Sequence, residues 1–405
     1  MIEEAAPREV FEDPAVEITR PKAWRPTHEA EDEVLYPTIS GIWPDDVRYD
    51  LASSDSETLS LASLLALARA DDLERWEGLG LGYTEPRGER RLREAIARRH
   101  VSMNRDAVVV CAGAQEALTC VAHALLAPDD HAVVVLPIYR PSERAVTRIC
   151  ETTGVPLADE AGWRLDVDRV AAALRPNTKL VLANFPNSPT GATLDAAELD
   201  GLVALCRRNG LWLVNDEVYR QTDSPRSGCL PMVADVYERG ISINGLSKGF
   251  GLPGLRVGWV ACRHQAIVSG VLSAKSALST CVAATSEVLG TIALREEATI
   301  VERTRAIGQA NRDRLTAMLE CLPDLFEIDT SRNLAFAFPR YRGSEGPDRL
   351  SMELMRRVGL HLLPASLWSS PLAAMPTDFV RIGLGHAKNG TALGVLGSYL
   401  SGRGS

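Results

Sequence analysis

The chain has 405 residues, a hydrophobic content of 45%, a charged content of 24% and a formal net charge of −9 at pH 7. This length allows more than one domain with a large core, and the composition is ordinary for a globular protein. The negative charge and the lack of a dominant basic run argue against a nucleic-acid-binding protein. No apolar run reaches the roughly 20 residues that a membrane-spanning helix needs.

The start of the chain and its cysteines bear on location. The acidic sequence Met-Ile-Glu-Glu is unlike a signal peptide. Eight cysteines occur without any Cys-x-x-Cys spacing, and several lie in apolar runs where cysteine behaves as a small hydrophobe. We therefore expect reduced thiols, a cytoplasmic protein and no metal site.

The first 50 residues are predicted to form an N-terminal arm. Residues 1–37 are rich in Glu, Asp, Pro and Arg and have no sustained periodicity, which is typical of a disordered tail. Trp24, Tyr36 and Trp43 favour the alternative that part of the arm packs, for instance on a partner subunit. Both interpretations stay open at this point.

Helical patterns follow on either side of a short loop. Leucines spaced along residues 57–78 predict a helix, and residues 89–100 predict another. Between them, Tyr83-Thr-Glu-Pro-Arg-Gly88 is predicted to be a loop because it contains Pro and Gly.

From about residue 107, short apolar runs alternate with amphipathic helices. Strands are predicted over 107–111, 131–136, 179–184, 211–214 and 257–262, with a further strand end before Lys248. Such alternation predicts an α/β fold whose mostly parallel sheet is covered by helices on both faces. We expect a large domain over 51–285 and a smaller α/β domain over 286–405. After about residue 285 the alternation of short strands and helices is replaced by a pattern typical of one or two long helices.

Candidate site residues follow the ends of these strands. They are the Gly113 turn, Tyr139, the segment 184–191, the segment 216–219 and Lys248. In open α/β sheets the ligand lies at the carboxyl ends of the strands, so these distant segments are expected to meet there.

The segment Gly245-Leu-Ser-Lys-Gly-Phe-Gly-Leu-Pro-Gly-Leu-Arg-Val-Gly-Trp259 contains the central candidate. A lysine at a strand end can be desolvated, which lowers its pKa and makes it a nucleophile toward an aldehyde. Ser247 and Arg256 suit an anion such as a phosphate. The alternative is a surface lysine in a loop.

Pyridoxal phosphate needs the groups that these segments carry: a lysine for its aldehyde, a carboxylate for its ring nitrogen and anion-binding donors for its phosphate. At these residues the chain resembles the class I/II aminotransferase family of fold type I pyridoxal phosphate enzymes, over about 51–384. The most specific matches are Leu246-Ser-Lys-Gly…Arg256-Val-Gly258, Pro186-Asn-Ser-Pro-Thr-Gly191 and Asp216-Glu-Val-Tyr219. The family's fold implies a large domain with a seven-stranded, mostly parallel sheet.

The resemblance also implies a role for each candidate. Lys248 would form the Schiff base with the cofactor and later move the α-proton, while Asp216 would pair with the ring nitrogen. Tyr219 would donate to the ring oxygen, and Arg381 would bind the substrate carboxylate. The remaining cofactor contacts would come from Gly113, Ala114, Gln115, Tyr139, Asn184, Ser188, Ser247, Arg256 and Tyr83.

In that family Tyr83 matches a tyrosine lent to the neighbouring active site, which implies a homodimer with composite sites. Structural alternatives stay open. Asp216 and Tyr219 suit strand-end positions, Tyr139 suits core packing, Arg381 suits a surface salt bridge and Tyr83 suits an ordinary loop.

Two positions depart from the family pattern. Ser188 stands where relatives have an asparagine that touches the ring oxygen and the substrate carboxylate, so Asn187 or Asn184 is a candidate replacement. Gly245 stands where many relatives carry a phosphate-binding Ser or Thr.

We predict transamination of an α-amino acid. The alternative is cyclisation or β-elimination of a β-hydroxylated arginine, because the lysine segment and Asn184-Phe-Pro also resemble the capreomycidine-synthase and streptolidine-forming branch used in antibiotic biosynthesis. Acidic residues at Ser53-Ser-Asp-Ser-Glu57 are candidates for meeting a cationic substrate, with Ser53 as a contact, or for capping the next helix. A non-catalytic effector-binding module is the remaining alternative, although residues 1–50 are too short and proline-rich for a helix-turn-helix domain.

Overall fold

The computed structural model describes residues 47–101, 103–223, 230–327, 331 and 333–402. The predictions for residues 1–37 and for Trp24, Tyr36 and Trp43 lie outside the described residues. In chain order the helices and strands are β1 (Tyr49–Asp50), α1 (Leu61–Leu65), α2 (Ala70–Glu77), α3 (Arg90–Ala97), β2 (Val108–Cys111), α4 (Ala114–Leu125), β3 (His131–Leu136), α5 (Arg140–Thr147), β4 (Glu151–Pro156), α6 (Val167–Ala172), β5 (Thr178–Asn184), α7 (Ala196–Arg208), β6 (Trp212–Asp216), α8 (Val233–Val236), β7 (Gly240–Gly245), β8 (Gly258–Ala261), α9 (Gln265–Ser276), α10 (Ala284–Arg295), α11 (Glu297–Glu320), β9 (Phe336–Ala337), α12 (Gly346–Val358), β10 (Leu360–His361), β11 (Leu363–Pro364), β12 (Val380–Gly383) and α13 (Asn389–Ser401).

A seven-stranded sheet forms the centre of the described chain. Its spatial order is β2-β8-β7-β6-β5-β3-β4. The neighbours from β7 to β4 are parallel, and β8 alone runs antiparallel to β7 and β2. The predicted mostly parallel sheet is therefore confirmed.

Both faces of this sheet are buried against helices. The six residues of β3 are all buried, which is the pattern of a strand covered on both sides. Side chains of β3, α4 and α9 share one apolar cluster, whereas alternate residues of β3 pack with α6 and α7 on the other face.

Several boundaries differ from the sequence prediction. A single helix over residues 57–78 is wrong, because the chain turns between α1 and α2. Asp72 accepts a hydrogen bond from the Arg69 amide and pairs with Arg295, which fixes the start of α2. Strand β4 was not predicted, since its residues are only partly buried and its sequence, Glu-Thr-Thr-Gly-Val-Pro, has no apolar alternation.

The C-terminal part contains a second, three-stranded antiparallel sheet, β11-β12-β9. Strand β1 pairs in parallel with β10, and the amide of Gly383 donates to the carbonyl of Leu51. Residues 51–57 are thereby held against the C-terminal strands, beside the loop that follows β7. The proposed division of the chain near residue 285 stays a prediction.

Within the part of the chain that the structure describes, no helix is both long and apolar enough to cross a bilayer.

Candidate active site

Lys248 lies in the loop after β7, at the carboxyl edge of the sheet. Its Nζ is 3.0 Å from the hydroxyl oxygen of Ser54 and 5.4 Å from the centroid of the Tyr219 ring. Burial lowers its pKa, but the charges of Tyr219 and Asp55 outweigh burial, so the net pKa of Lys248 is raised. The expectation of a lowered lysine pKa is therefore wrong for these surroundings, because acidic groups face the amine.

Tyr219 follows the end of β6 and is almost fully buried. Its hydroxyl donates to Ser54 Oγ at 3.1 Å, and its ring packs edge-on against Phe336 with centroids 5.1 Å apart. Burial alone would raise the pKa of the phenol, but the positive charges of Lys248 and Arg381 lower it overall. A phenol with a lowered pKa is a strong hydrogen-bond donor to a negatively charged oxygen.

Asp216 is the last residue of β6. Its Oδ1 accepts a hydrogen bond from the amide of Val218 at 3.2 Å. Burial raises the pKa of this carboxyl to about 6, against the opposing effect of the positive charge of Lys248. A desolvated carboxylate in this position is stabilised by an additional cation, which is what a protonated pyridine ring provides.

An anion cup is formed at the start of helix α4. Gly113 has φ 99°, and a Cβ on it would lie 2.5 Å from the Arg256 guanidinium, so only glycine allows this approach. The Arg256 guanidinium also donates to the carbonyls of Pro253 and Ala112, at 3.1 and 3.3 Å. The cup therefore combines a helix N-terminus with a guanidinium, which together suit a phosphate.

Other predicted cofactor contacts lie around this cup. The side chain of Gln115 is engaged with the start of α5, donating to the Pro141 carbonyl at 3.1 Å and accepting from Ser142. Its backbone amide and that of Ala114 are in the first turn of α4. Ser247 directly precedes Lys248, and Tyr139, which is 46% exposed, follows β3.

The loop after β5 uses its asparagine side chains internally. Asn184 donates to the carbonyl of Asp216 and accepts from the amide of Ser188 at 2.9 Å. Asn187 donates to the carbonyls of Pro137 and Asn184 and accepts from Thr190. Both amides are therefore occupied in holding the loop, and neither is available to replace the shorter Ser188 without breaking those bonds.

Arg381 lies on β12, within the buried floor of the same region. Its guanidinium stacks over Trp368, with the central carbon 4.7 Å from the ring centroid, and donates to the carbonyl of Ala52 at 2.6 Å. Its Nε is buried and has no hydrogen-bond partner within the described residues. A buried arginine with an unused donor suits a carboxylate ligand.

The acidic segment after β1 does not cap the following helix. Ser60 caps α1, whereas Asp55 binds His386 Nε2 at 3.1 Å and Glu57 accepts from the amide of Ala387 at 2.8 Å. The capping interpretation is therefore wrong. Ser53, the predicted substrate contact, donates to Asp50 at 3.2 Å, and the neighbouring Ser54 is the residue that reaches Lys248.

Tyr83 lies in the loop between α2 and α3 and is 94% exposed. The loop itself is well held, because Thr84 donates to the carbonyl of Val282 and Lys275 donates to the carbonyl of Pro86. A large exposed aromatic on an anchored loop is compatible with a role outside its own subunit, and this role stays a prediction.

Sequence reasoning missed Ser54 as a site residue. It belongs to the Ser53–Glu57 stretch that was already selected, but serine has no distinctive pattern and its register depends on the pairing of β1 with β10. The sequence could therefore identify the segment but not which of its residues contacts Lys248.

Residues 50–392 match the family model for aminotransferase class I and II, so the chain belongs to that family. Its members are pyridoxal-phosphate-dependent enzymes, and the protein is an enzyme of this kind.

Three relatives are informative. The chain is 38% identical over 200 residues to the arginine–pyruvate transaminase of Pseudomonas aeruginosa, an alignment that covers 45% of this chain and 49% of that protein. It is 28% identical over 347 residues to the capreomycidine synthase of Streptomyces vinaceus, covering 82% and 84% of the two chains. The solved structure of a PLP-dependent cyclase superimposes with a TM-score of 0.80 at 25% identity, covering 95% of this chain and all of that one.

The residues present fit pyridoxal phosphate. The buried carboxyl of Asp216, the glycine-lined cup beside Arg256 and the amine of Lys248 are the three groups that the ring nitrogen, phosphate and aldehyde require. The two departures from the family pattern, Ser188 and Gly245, leave these three groups in place.

Proposed function

We propose that the protein transaminates an α-amino acid with a guanidinium side chain, arginine being the simplest member of that class. The observation that carries the proposal is the combination of Lys248 with Arg381. Arg381 and Tyr219 pack on the same ring of Phe336, with the guanidinium carbon 5.8 Å and the Tyr219 ring 5.1 Å from its centroid. Nζ of Lys248 lies 5.4 Å from the Tyr219 ring, so a carboxylate bound at the unpaired Nε of Arg381 is held on the lysine side of the site.

When bound, pyridoxal phosphate supplies an aldehyde that captures amines and a protonated ring that withdraws electrons from the substrate α-carbon. Asp216 would pair with the protonated ring nitrogen, and the cup at Gly113 and Arg256 would hold the phosphate. Arg381 orients the substrate by its carboxylate, so that the α C–H points at Nζ of Lys248. Lys248 accepts the α-proton and delivers it to its new position, which general bases accelerate by about 10²–10⁴-fold.

Two observations support the guanidinium side chain. Asp55 belongs to the same segment as Ser54, which contacts Lys248, and the negative charge of Asp55 acts on that amine. The arginine–pyruvate transaminase of Pseudomonas aeruginosa is a relative by name and sequence.

The test separates the two half-reactions. Enzyme loaded with cofactor is mixed with L-arginine alone, and the keto acid formed is counted. A transaminase forms about one keto acid per active site and stops, and pyruvate then restores turnover. Lys248→Ala is the matched control, because it keeps Arg381 and the cup. No keto acid from L-arginine would overturn the proposal.

A second candidate is cyclisation or β-elimination of a β-hydroxylated arginine. One observation in its favour is Ser188, because the side-chain amides of Asn184 and Asn187 are hydrogen-bonded within the loop and do not replace the family asparagine. The other is the similarity to capreomycidine synthase over 82% of the chain. With a β-hydroxylated arginine and no keto acid, such an enzyme turns over repeatedly, whereas a transaminase stops after one turnover. Repeated turnover would replace the first proposal with this one.

We also propose that the active unit is a homodimer in which Tyr83 serves the neighbouring site. Its support is the 94% exposure of a tyrosine on a loop that is anchored at Thr84 and Pro86.

A further inference from the structure

Ser54 connects the two reactive side chains of the site. Its Oγ lies 3.0 Å from Nζ of Lys248 and 3.1 Å from the hydroxyl of Tyr219. Ser54 is 8% exposed and Tyr219 4%, so bulk water has little access to this bridge.

The tertiary structure delivers this hydroxyl from a segment remote in sequence. Strand β1 pairs with β10, and the carbonyl of Leu51 accepts from the amide of Gly383 at 2.6 Å. The carbonyl of Ala52 accepts from Arg381, also at 2.6 Å. The backbone that carries Ser54 is thus clamped to the strand that carries the carboxylate-binding arginine.

We propose that Ser54 is a positioning residue that orients the amine of Lys248 for proton transfer and strengthens the hydrogen bond of Tyr219 to the cofactor. The first part rests on the proposed function, since it needs an amino-acid substrate. The second part needs only the bound cofactor.

The number of hydroxyl protons on Ser54 and Tyr219 determines which of the two residues donates to the other. A serine hydroxyl has one proton and two acceptor lone pairs, whereas the tyrosine hydroxyl has one proton. In the structure Tyr219 donates to Ser54. When Tyr219 donates to the cofactor ring oxygen, its proton is used there, so the Ser54 proton must serve the bond between the two hydroxyls. Ser54 then donates to Tyr219, which makes Tyr219 a stronger donor.

The second lone pair of Ser54 serves Lys248. Whenever the amine of Lys248 is free, it donates one N–H to Ser54, as in the structure. This bond fixes the direction of the amine lone pair. In the proton transfer the α C–H bond breaks and an N–H bond forms at Nζ, while Ser54 keeps its own proton throughout.

The experiment compares holoenzymes of wild type, Ser54→Ala, Ser54→Thr and Ser54→Cys. Ser56→Ala is the matched control, because it removes another buried hydroxyl from the same segment, whereas the hydrogen bonds to Lys248 and Tyr219 are made by Ser54. Each protein is titrated with pH while the absorbance of the Schiff base between Lys248 and the cofactor is followed, without substrate.

We expect the apparent pKa of that Schiff base to rise by about half a unit to one unit in Ser54→Ala, because a weaker Tyr219 donor stabilises the ring oxygen less. Ser54→Thr restores the wild-type pKa and Ser56→Ala leaves it unchanged. Ser54→Cys, close in size to serine, keeps the test valid if the alanine variant does not fold, and is expected to raise the pKa less than alanine. Equal titrations for Ser54→Ala and Ser56→Ala, or for Ser54→Cys and wild type where the alanine variant does not fold, would overturn the inference.

A second readout follows exchange of the α-proton of L-arginine in D₂O by NMR. We expect the exchange rate of Ser54→Ala to fall by about tenfold, with little change in KM. If wild type exchanges no α-proton but the Schiff-base pKa still shifts, the proposed substrate class is wrong and the role of Ser54 toward the cofactor stands. If exchange falls without a pKa shift, the role toward Tyr219 is overturned.

Discussion

Gly245 lies directly opposite Gly258 where strands β7 and β8 pair. A Cβ on Gly245 would lie 2.9 Å from the carbonyl oxygen of Val257 and 3.2 Å from the Cα of Gly258. A Cβ on Gly258 would in turn clash with the amide nitrogen of Ala114, at the start of the cofactor cup. The glycine that departs from the family pattern therefore brings β8 close to the cup, and a serine cannot be added there without moving the backbone.

The first prediction tests this packing. Gly245→Ser is expected to lower the free energy of unfolding by about 1–3 kcal/mol, because the added side chain overpacks a buried strand pair. Cofactor affinity is expected to fall rather than rise, although the serine resembles that of many relatives. Thermal unfolding and cofactor dissociation measure the two effects. Gly254→Ser is the control, since nothing lies within 4 Å of a Cβ there; equal unfolding temperatures for both variants would contradict the prediction.

The second prediction concerns the carboxylate clamp. Arg381→Lys is expected to raise KM for L-arginine by about 10–100-fold, because lysine cannot form the bidentate pair that arginine offers. Agmatine, which is arginine without its α-carboxylate, binds without that pair. Its inhibition constant is therefore expected to change much less. An equal loss for both compounds would mean that Arg381 supports the fold and not the carboxylate.

The third prediction concerns the support of the Tyr83 loop. Glu287 Oε1 accepts from the amide of Glu89 at 2.8 Å, and burial raises the pKa of this carboxyl to about 7. The folded state therefore holds a proton that the unfolded state releases above the ordinary value of 4.5. Its contribution to stability is complete below that value and is lost as the pH rises through 7.

Glu287→Gln removes this dependence while keeping an oxygen for Glu89. The variant is expected to match wild type only below about pH 4.5 and to be more stable by roughly 2–3 kcal/mol at pH 8. Calorimetric unfolding across that range measures the difference. Glu302→Gln, which makes the same substitution at an exposed position, serves as the control. A constant difference between Glu287→Gln and wild type would contradict the raised pKa.

The fourth prediction tests the composite site. Tyr83→Phe and Lys248→Ala are each expected to be defective, and hybrid dimers of the two carry one complete site if Tyr83 serves the neighbour. Unfolding and refolding an equal mixture should then recover roughly a quarter of wild-type activity. If each tyrosine serves its own subunit, every site in the hybrid is defective and no activity returns.

Much of the sheet could be predicted from the sequence because parallel strands buried on both faces have nearly continuous apolar residues. Residues 131–136 match β3 without error, and the strand-end segments around Asp216 and Lys248 meet at one edge. Where the apolar pattern is interrupted, prediction failed. Strand β4 is half exposed and was missed, and the single helix over 57–78 is broken by contacts of Asp72 with a helix more than 200 residues away.

The pKa of Lys248 also could not be predicted from the local sequence. The motif around Lys248 predicts the site, but the direction of its pKa depends on Tyr219 and Asp55, which come from two other segments. The anticipated replacement of the family asparagine by Asn187 likewise depended on free amide groups. In the folded loop those groups are bonded to Pro137, Asn184 and Thr190.

Apolar periodicity and local motifs, which extend over only a few residues, were enough to predict most of the strands and helices, the family and its cofactor. The tertiary structure alone decided which hydroxyl bridges Lys248 and Tyr219, where Arg381 keeps an unpaired donor and why residue 245 is glycine. Those features arise where strands β1, β8 and β12 bring separate segments into direct contact, and that proximity is set by pairing and packing of the whole fold.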